Sequence, residues 1–231
     1  MHSIRTITVD LDDTLWAIGP VLRRAETRLR SWFAEHYPRV AELFPPEAVI
    51  ELRQRVLAEH ADQIHDLTFL RKTMIARMSA AAGYRRDIAD EAFCVFNDIR
   101  NDVELFPDVV PSLESLRGRY VLIALTNGNA DLERIGIRAL FDDVISARAV
   151  GAAKPQRSIF DAAVSAGGAR AGETLHVGDH PEHDIFGARR AGLKTVWVNR
   201  YGDGWPDDLA TADAEVADMH ELDALLSSAS R

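Results

Sequence analysis

One cysteine, Cys94, is all that the 231 residues contain, so no disulfide can close within the chain. Disulfide frameworks staple small secreted scaffolds, and their absence points to a reducing compartment. Cys94 sits among apolar neighbours and reads as a small core residue. Also missing is any apolar run near the roughly 20 residues needed to span a bilayer. No cleavable leader pattern precedes the first apolar segment either. The expectation is a cytoplasmic protein with no membrane partner. Cations are in deficit, with 27 Lys and Arg against 36 Asp and Glu and a formal net charge of −9. Nucleic acids and acidic membrane surfaces are bound through excess Lys and Arg that displace counterions, so both are excluded as expected partners. An anionic substrate is not, because a bound cation reverses the local sign. At 47% hydrophobic residues, the chain can build a sizeable core.

Chemistry is concentrated at the ends of short apolar runs. The first run, Ile7-Thr-Val-Asp-Leu-Asp-Asp-Thr-Leu-Trp16, places Asp10 and Asp12 two apart. In extended backbone residues two apart point to one side, so both carboxylates are expected to share a locus. Such a pair repels itself unless a cation or proton lies between. One carboxylate attacking phosphorus, a second moving protons and a divalent ion holding the reactants is a chemistry that needs this pair. An Asp-rich turn that merely ends a strand is the alternative for this segment taken alone.

The second run, Val121 to Leu125, is continuously apolar, as in a parallel strand buried on both faces, and leads into Thr126-Asn127-Gly128. Thr126 can donate to a phosphoryl oxygen. Gly128 lets the chain turn so that the backbone N–H groups of Asn127 and its neighbours face an anion. Lys154 precedes Pro155, a position held extended, which frees its ammonium to reach toward the strand ends. The last run, Leu175-His-Val-Gly-Asp-His-Pro-Glu-His-Asp184, ends in Asp179 and Asp184, oxygen donors suited to magnesium. His176, His180 and His183 in the same stretch raise a rival reading as a transition-metal site. Against it, strand alternation should send His176 away from a shared centre. His180 then reads as lining the mouth of a phosphate site, and His183 as a solvated loop residue.

Strands are expected near 4–9, 121–125, 143–145, 174–177 and 195–198, alternating with helices near 108–117, 131–137, 156–166, 182–191 and 221–227. That alternation implies a parallel sheet flanked by helices, with the motif-bearing strand ends on one edge. Between Trp16 and Leu105 the pattern is helical instead, as in Leu22, Ala25, Leu29, Trp32, Phe33 and later Leu67, Leu70, Met74, Ile75, Met78. Pro45-Pro46 and Gly83 punctuate those helices.

These four elements, in this order, resemble the haloacid dehalogenase (HAD) superfamily. The resemblance implies an α/β, Rossmann-like core formed by 1–16 and 105–231, with an all-helical cap domain at 17–104. It implies that Asp10 is the nucleophile forming an aspartyl-phosphate, that Asp12 is the general acid and base, and that Thr126, Asn127 and Lys154 stabilise the transferring oxygens. Mg2+ would be held by the Asp10 carboxylate, the Asp12 backbone carbonyl and Asp179, with Asp184 bonding directly or through water. Dehalogenases of the superfamily lack a carboxylate two residues after the nucleophile, and Asp12 is present here. Asp-Leu-Asp-Asp-Thr-Leu-Trp, Leu-Thr-Asn-Gly-Asn-Ala and the stretch Ile64–Lys72 look like the bacterial phosphatase branch acting on FMN and on the phosphorylated pyrimidine intermediate of riboflavin synthesis.

In that last stretch the apolar residues Leu67, Leu70, Met74 and Ile75 should face the helical bundle. That would leave His65, Arg71 and Lys72 to meet the non-reacting part of a small phosphate ester. A dehalogenase, a phosphomutase or a non-catalytic metabolite-binding module would share the fold. The last of these should have lost Asp10, Asp12 or Lys154, and all three are present. The oligomeric state is left open.

Overall fold

The computed structural model describes residues 4–229. They form two compact units, one built from the chain up to Ala17 and from Glu104 onward, the other Ile18–Val103.

The first unit is organised by a six-stranded, wholly parallel sheet: β1 (Thr6–Val9), β2 (Val121–Thr126), β3 (Asp143–Ser146), β4 (Thr174–Gly178), β5 (Lys194–Val198) and β6 (Ala214–Val216). Their spatial order is β3-β2-β1-β4-β5-β6. β1, β4 and all of β2 after Val121 are buried, which is why they read as unbroken apolar or Thr-rich runs. The chain fills one side of β1 with β2 and β3, then crosses to the other side for β4. The crevice at the carboxyl ends of β1, β2 and β4 is therefore a topological switch point, where open α/β sheets place ligands. Helices Arg157–Gly167 and Gly187–Ala191 bury Ile159, Phe160, Ala163, Ala188 and Ala191 against Ile123 and Leu125 of β2.

Three elements depart from the sequence expectation. β6 follows no apolar run; three residues suffice because it pairs with β5 at the sheet edge. The helix expected over 182–191 opens as a π-helical turn, Pro181–Phe186, before Gly187–Ala191. The helix expected over 131–137 shrinks to Leu132–Ile135, stopped by Gly136 at φ 89°.

The second unit contains α1 (Ile18–His36), α2 (Pro38–Leu43), α3 (Pro46–Glu59), α4 (Leu67–Ala81) and α5 (Ile88–Arg100). Pro46 occupies the first turn of α3, where its missing N–H is harmless, and Gly83, with φ 76°, follows the end of α4. Ala25, Leu29, Trp32, Phe33, Leu70, Met74, Ile75, Met78, Ala92 and Phe96 form its core. Leu67 does not join them: it starts α4 directly after the N-cap Asp66 and is 42% exposed. Cys94 is exposed as well. It lies between Ala92 and Phe96 in α5, and a helix turns a residue midway between two buried positions to the opposite side. Among the described residues no helix is long and apolar enough to cross a membrane.

Candidate active site

At the switch point Lys154 is the hub. Its ammonium donates to Asp10 Oδ1, to the Leu125 carbonyl at 3.0 Å, and pairs with Asp184 Oδ1 at 2.7 Å. All three side chains are buried. The loop carrying Lys154 is fixed to the β2 turn by a reciprocal pair: Lys154 N donates to Asn127 Oδ1 (2.7 Å), and Asn127 Nδ2 donates to the Lys154 carbonyl (3.0 Å). The Asn127 side chain thus holds the lysine loop. Gly128 N–H is likewise turned inward, donating to Thr126 Oγ1 at 2.8 Å. Gly187 lets this loop pack, since a Cβ there would lie 2.9 Å from Pro155 Cα.

β1 stops at Val9, and Asp10 continues its line by donating its N–H to the Val177 carbonyl at 2.9 Å. The chain then turns at Asp13, which adopts φ 62°. That turn brings Thr14 back, with its hydroxyl 3.2 Å from both Asp10 Oδ2 and Asp179 Oδ1. Regular strand geometry ends at Val9, so alternation does not by itself fix where the Asp12 side chain points. Its Oδ1 accepts from Trp16 Nε1 at 2.9 Å. Asp179 is steadied by Trp197, whose Nε1 donates to the Asp179 carbonyl at 2.6 Å.

Asp184 reaches the centre from the π-helical turn. Gly178 makes room for it, as a Cβ there would lie 2.4 Å from Asp184 Cγ. His176 is the second departure. In the β1–β4 register it sits opposite Thr8, so period two puts it on Asp10's side of the sheet, not away from the centre. Its Nε2 lies 3.1 Å from Asp184 Oδ1. Sequence reasoning also passed over Thr14. A hydroxyl four residues after Asp10 was the signal available.

Carboxylate oxygens of Asp10, Asp179 and Asp184 all lie within 4.8 Å of one another. No histidine belongs to this group among the described residues. His180 is exposed, its Nδ1 accepts from the N–H groups of Glu182 and His183, and its ring stacks on that of the half-buried His183 at 4.0 Å. His183 is therefore part of the turn and not a solvated loop.

The local charge is unbalanced. Burial, then Asp184 and Asp179, push the Asp10 carboxyl well up against the opposing pull of Lys154. Burial and the neighbouring Asp184 and Asp13 push Asp179 up to about 7. Burial acts the same way on Asp184, but Lys154 and the His176 hydrogen bond outweigh it and hold that carboxyl below the usual range. Lys154 stays protonated because two carboxylates more than offset its burial. Three carboxylates against one ammonium, all oxygen donors, make a set that fits a hard divalent cation.

His65, Arg71 and Lys72 belong to the helical unit. His65 is half-buried in the turn before α4. Arg71 pairs with Glu26 at 2.5 Å and lies over the Phe96 ring at 3.9 Å. Lys72 pairs with Asp90 at 2.7 Å. Arg71 also borders a cavity of about 410 Å³ inside that unit, lined by Leu29, Phe33, Met74 and Met78 among others.

A parallel sheet with a buried carboxylate cluster and a lysine at its switch point defines a hydrolase of the HAD type. Residues 4–192 match the family of haloacid dehalogenase-like hydrolases, and the chain belongs to it. The 5-amino-6-(5-phospho-D-ribitylamino)uracil phosphatase YigB of Escherichia coli is 31% identical, over 84% of this chain and 83% of that one. Human N-acylneuraminate-9-phosphatase is 29% identical, over 99% of this chain and 96% of its own. A crystal structure named as a 2-haloacid dehalogenase from Pseudomonas syringae pv. Tomato superposes with a TM-score of 0.92 at 38% identity, covering 97% of this chain and 99% of that one.

Proposed function

We propose that the protein is a cytoplasmic, magnesium-dependent phosphatase that hydrolyses a small phosphate monoester through an aspartyl-phosphate on Asp10. The observation that carries this reading is Lys154 clamped between Asp10 and Asp184 with Asp179 beside them, an anion site completed by a cation. Asp10, Asp179, the Asp12 carbonyl and, directly or through water, Asp184 would hold Mg2+, which would supply charge neutralisation for an approaching phosphoryl group.

In the first step an Asp10 oxygen bonds to phosphorus as the ester oxygen leaves, taking a proton from Asp12. In the second, Asp12 takes a proton from water, whose oxygen bonds to phosphorus and frees Asp10. Thr126, Lys154 and the Asn127 backbone N–H steady the negative oxygens throughout, preorganised by the bonds already described. Asp12's bond to Trp16 orients its carboxyl for this exchange.

The helical unit would choose the ester. His65, Arg71 and Lys72 are its polar candidates, although a substrate group meeting Arg71 or Lys72 has to compete with Glu26 or Asp90. YigB, whose name gives a phosphoribitylamino-uracil substrate, makes ribityl phosphates, FMN among them, the first esters to try.

The Pseudomonas neighbour supports a second reading, hydrolysis of a 2-haloacid. There a halide leaves carbon without protonation, and Asp12 would have no task. Turnover should therefore be measured on a panel of phosphate monoesters and on 2-chloropropionate, each with and without Mg2+. The proposal requires Mg2+-dependent phosphate release and no chloride. Chloride release without phosphate release would establish the other reading.

A further inference from the structure

We infer that His176 is a positioning residue, which fixes the Asp184 carboxylate so that a single acceptor site, on Oδ2, faces outward to a divalent cation or its water. The inference rests on the proposed cation site and specifies how that site is held. A carboxylate offers about four acceptor directions, two on each oxygen. Asp184 Oδ1 takes Lys154 at 2.7 Å and His176 Nε2 at 3.1 Å, which fills it. Oδ2 accepts the His180 backbone N–H at 2.9 Å, which leaves one direction. The Lys154 and His180 contacts come from loops at the sheet edge, whereas the histidine is supplied by β4 itself.

The imidazole can act in this way because its other side is fixed. Nε2 faces a carboxylate oxygen, which can only accept, so the ring proton sits on Nε2, and Nδ1 is left to accept from the Thr8 hydroxyl 2.8 Å away, the closer of that hydroxyl's two acceptors. The ring is fully buried and packs edge-on against Phe160 at 5.4 Å. Its rotation is thereby blocked. A bare aspartate at the start of a turn could swing either oxygen toward a cation. Asp184 cannot, and its geometry is set before the cation arrives.

The test is Mg2+ binding by titration calorimetry, without substrate, on wild type, His176→Gln, His176→Asn and His176→Leu. Gln can place an N–H close to the Nε2 position, whereas Asn reaches only the Nδ1 side. Asn and Leu should weaken Mg2+ binding about 10- to 100-fold, the usual effect of losing an outer-shell partner, while Gln stays within about threefold of wild type. At saturating Mg2+ the KM for a phosphate ester should be unchanged in all four. Equal affinity in the Gln and Asn variants would overturn the inference, and that comparison stands even if the Leu variant fails to fold. Wild type that binds no Mg2+ would overturn the cation site and this inference with it. Tight wild-type binding that no substitution disturbs would remove only the role of His176.

Discussion

Arg200 and Asp108, 92 residues apart, form a buried two-pronged ion pair, with Nη1 on Oδ1 at 3.1 Å and Nη2 on Oδ2 at 2.8 Å. The same guanidinium donates through Nε to the Thr14 carbonyl at 2.9 Å and lies over the Phe106 ring at 4.0 Å. Asp108 Oδ2 also accepts the Met219 N–H at 2.9 Å, at the start of the C-terminal helix. The pair thus ties the loop after β1 to two helices, and the Thr14 hydroxyl between Asp10 and Asp179 depends on it.

Breaking one half of a buried pair strands the other charge. Arg200→Leu is expected to lose about 3–5 kcal/mol of stability in urea unfolding, and Arg200→Leu with Asp108→Leu should recover part of it. Burial raises the Asp108 carboxyl, but the Arg200 bond outweighs it and the net shift is downward. Its stabilisation is accordingly present at neutral pH and disappears as pH falls through the lowered value. Additive losses in the double variant would show that the pair carries no coupling.

Asp179 gives the opposite sign. With its carboxyl pushed up to about 7, the metal-free folded protein retains a proton that the unfolded chain releases at the ordinary carboxylate value. Stability of the metal-free protein should therefore fall as pH rises from that ordinary value to about 7. A cation displaces the proton, so Mg2+ affinity should grow by up to about tenfold per pH unit below that point and level off above it. Thermal shift with Mg2+ at about pH 6 and about pH 8 measures this, and a larger Mg2+-induced rise in Tm at the lower pH would contradict it.

Asp12 and Asp10 are expected to separate by leaving group. Loss of a general acid lowers rates on the order of 10²–10⁴, but only where the leaving oxygen needs a proton. Asp12→Ala should retain far more of its activity on p-nitrophenyl phosphate than on an alkyl phosphate. Equal loss on both would remove Asp12 from the acid role.

Strands β1, β2, β4 and β5 were legible because parallel strands buried on both faces leave near-continuous apolar runs in the sequence, whereas β3 is a short edge strand with no buried residue. Asp10, Asp179 and Asp184 stood out because each follows such a run. Less visible was anything set by tertiary register. The pairing of His176 with Thr8, the return of Thr14 at a positive-φ turn and the reach of Arg200 to Asp108 depend on which strands become neighbours. Local periodicity also misled at two helix positions. Leu67 starts a helix before its buried stripe begins, and Cys94 lies on the far side of α5 from Ala92 and Phe96.

The central claim is that Asp10 takes the phosphoryl group before water does, and the stereochemistry at phosphorus tests it most directly. Each in-line displacement inverts the phosphorus, so transfer to Asp10 followed by hydrolysis makes two inversions. With a chirally labelled phosphate ester that the enzyme turns over, the account predicts net retention of configuration in the product. Net inversion would mean a single displacement by water, and Asp10 would then be no nucleophile.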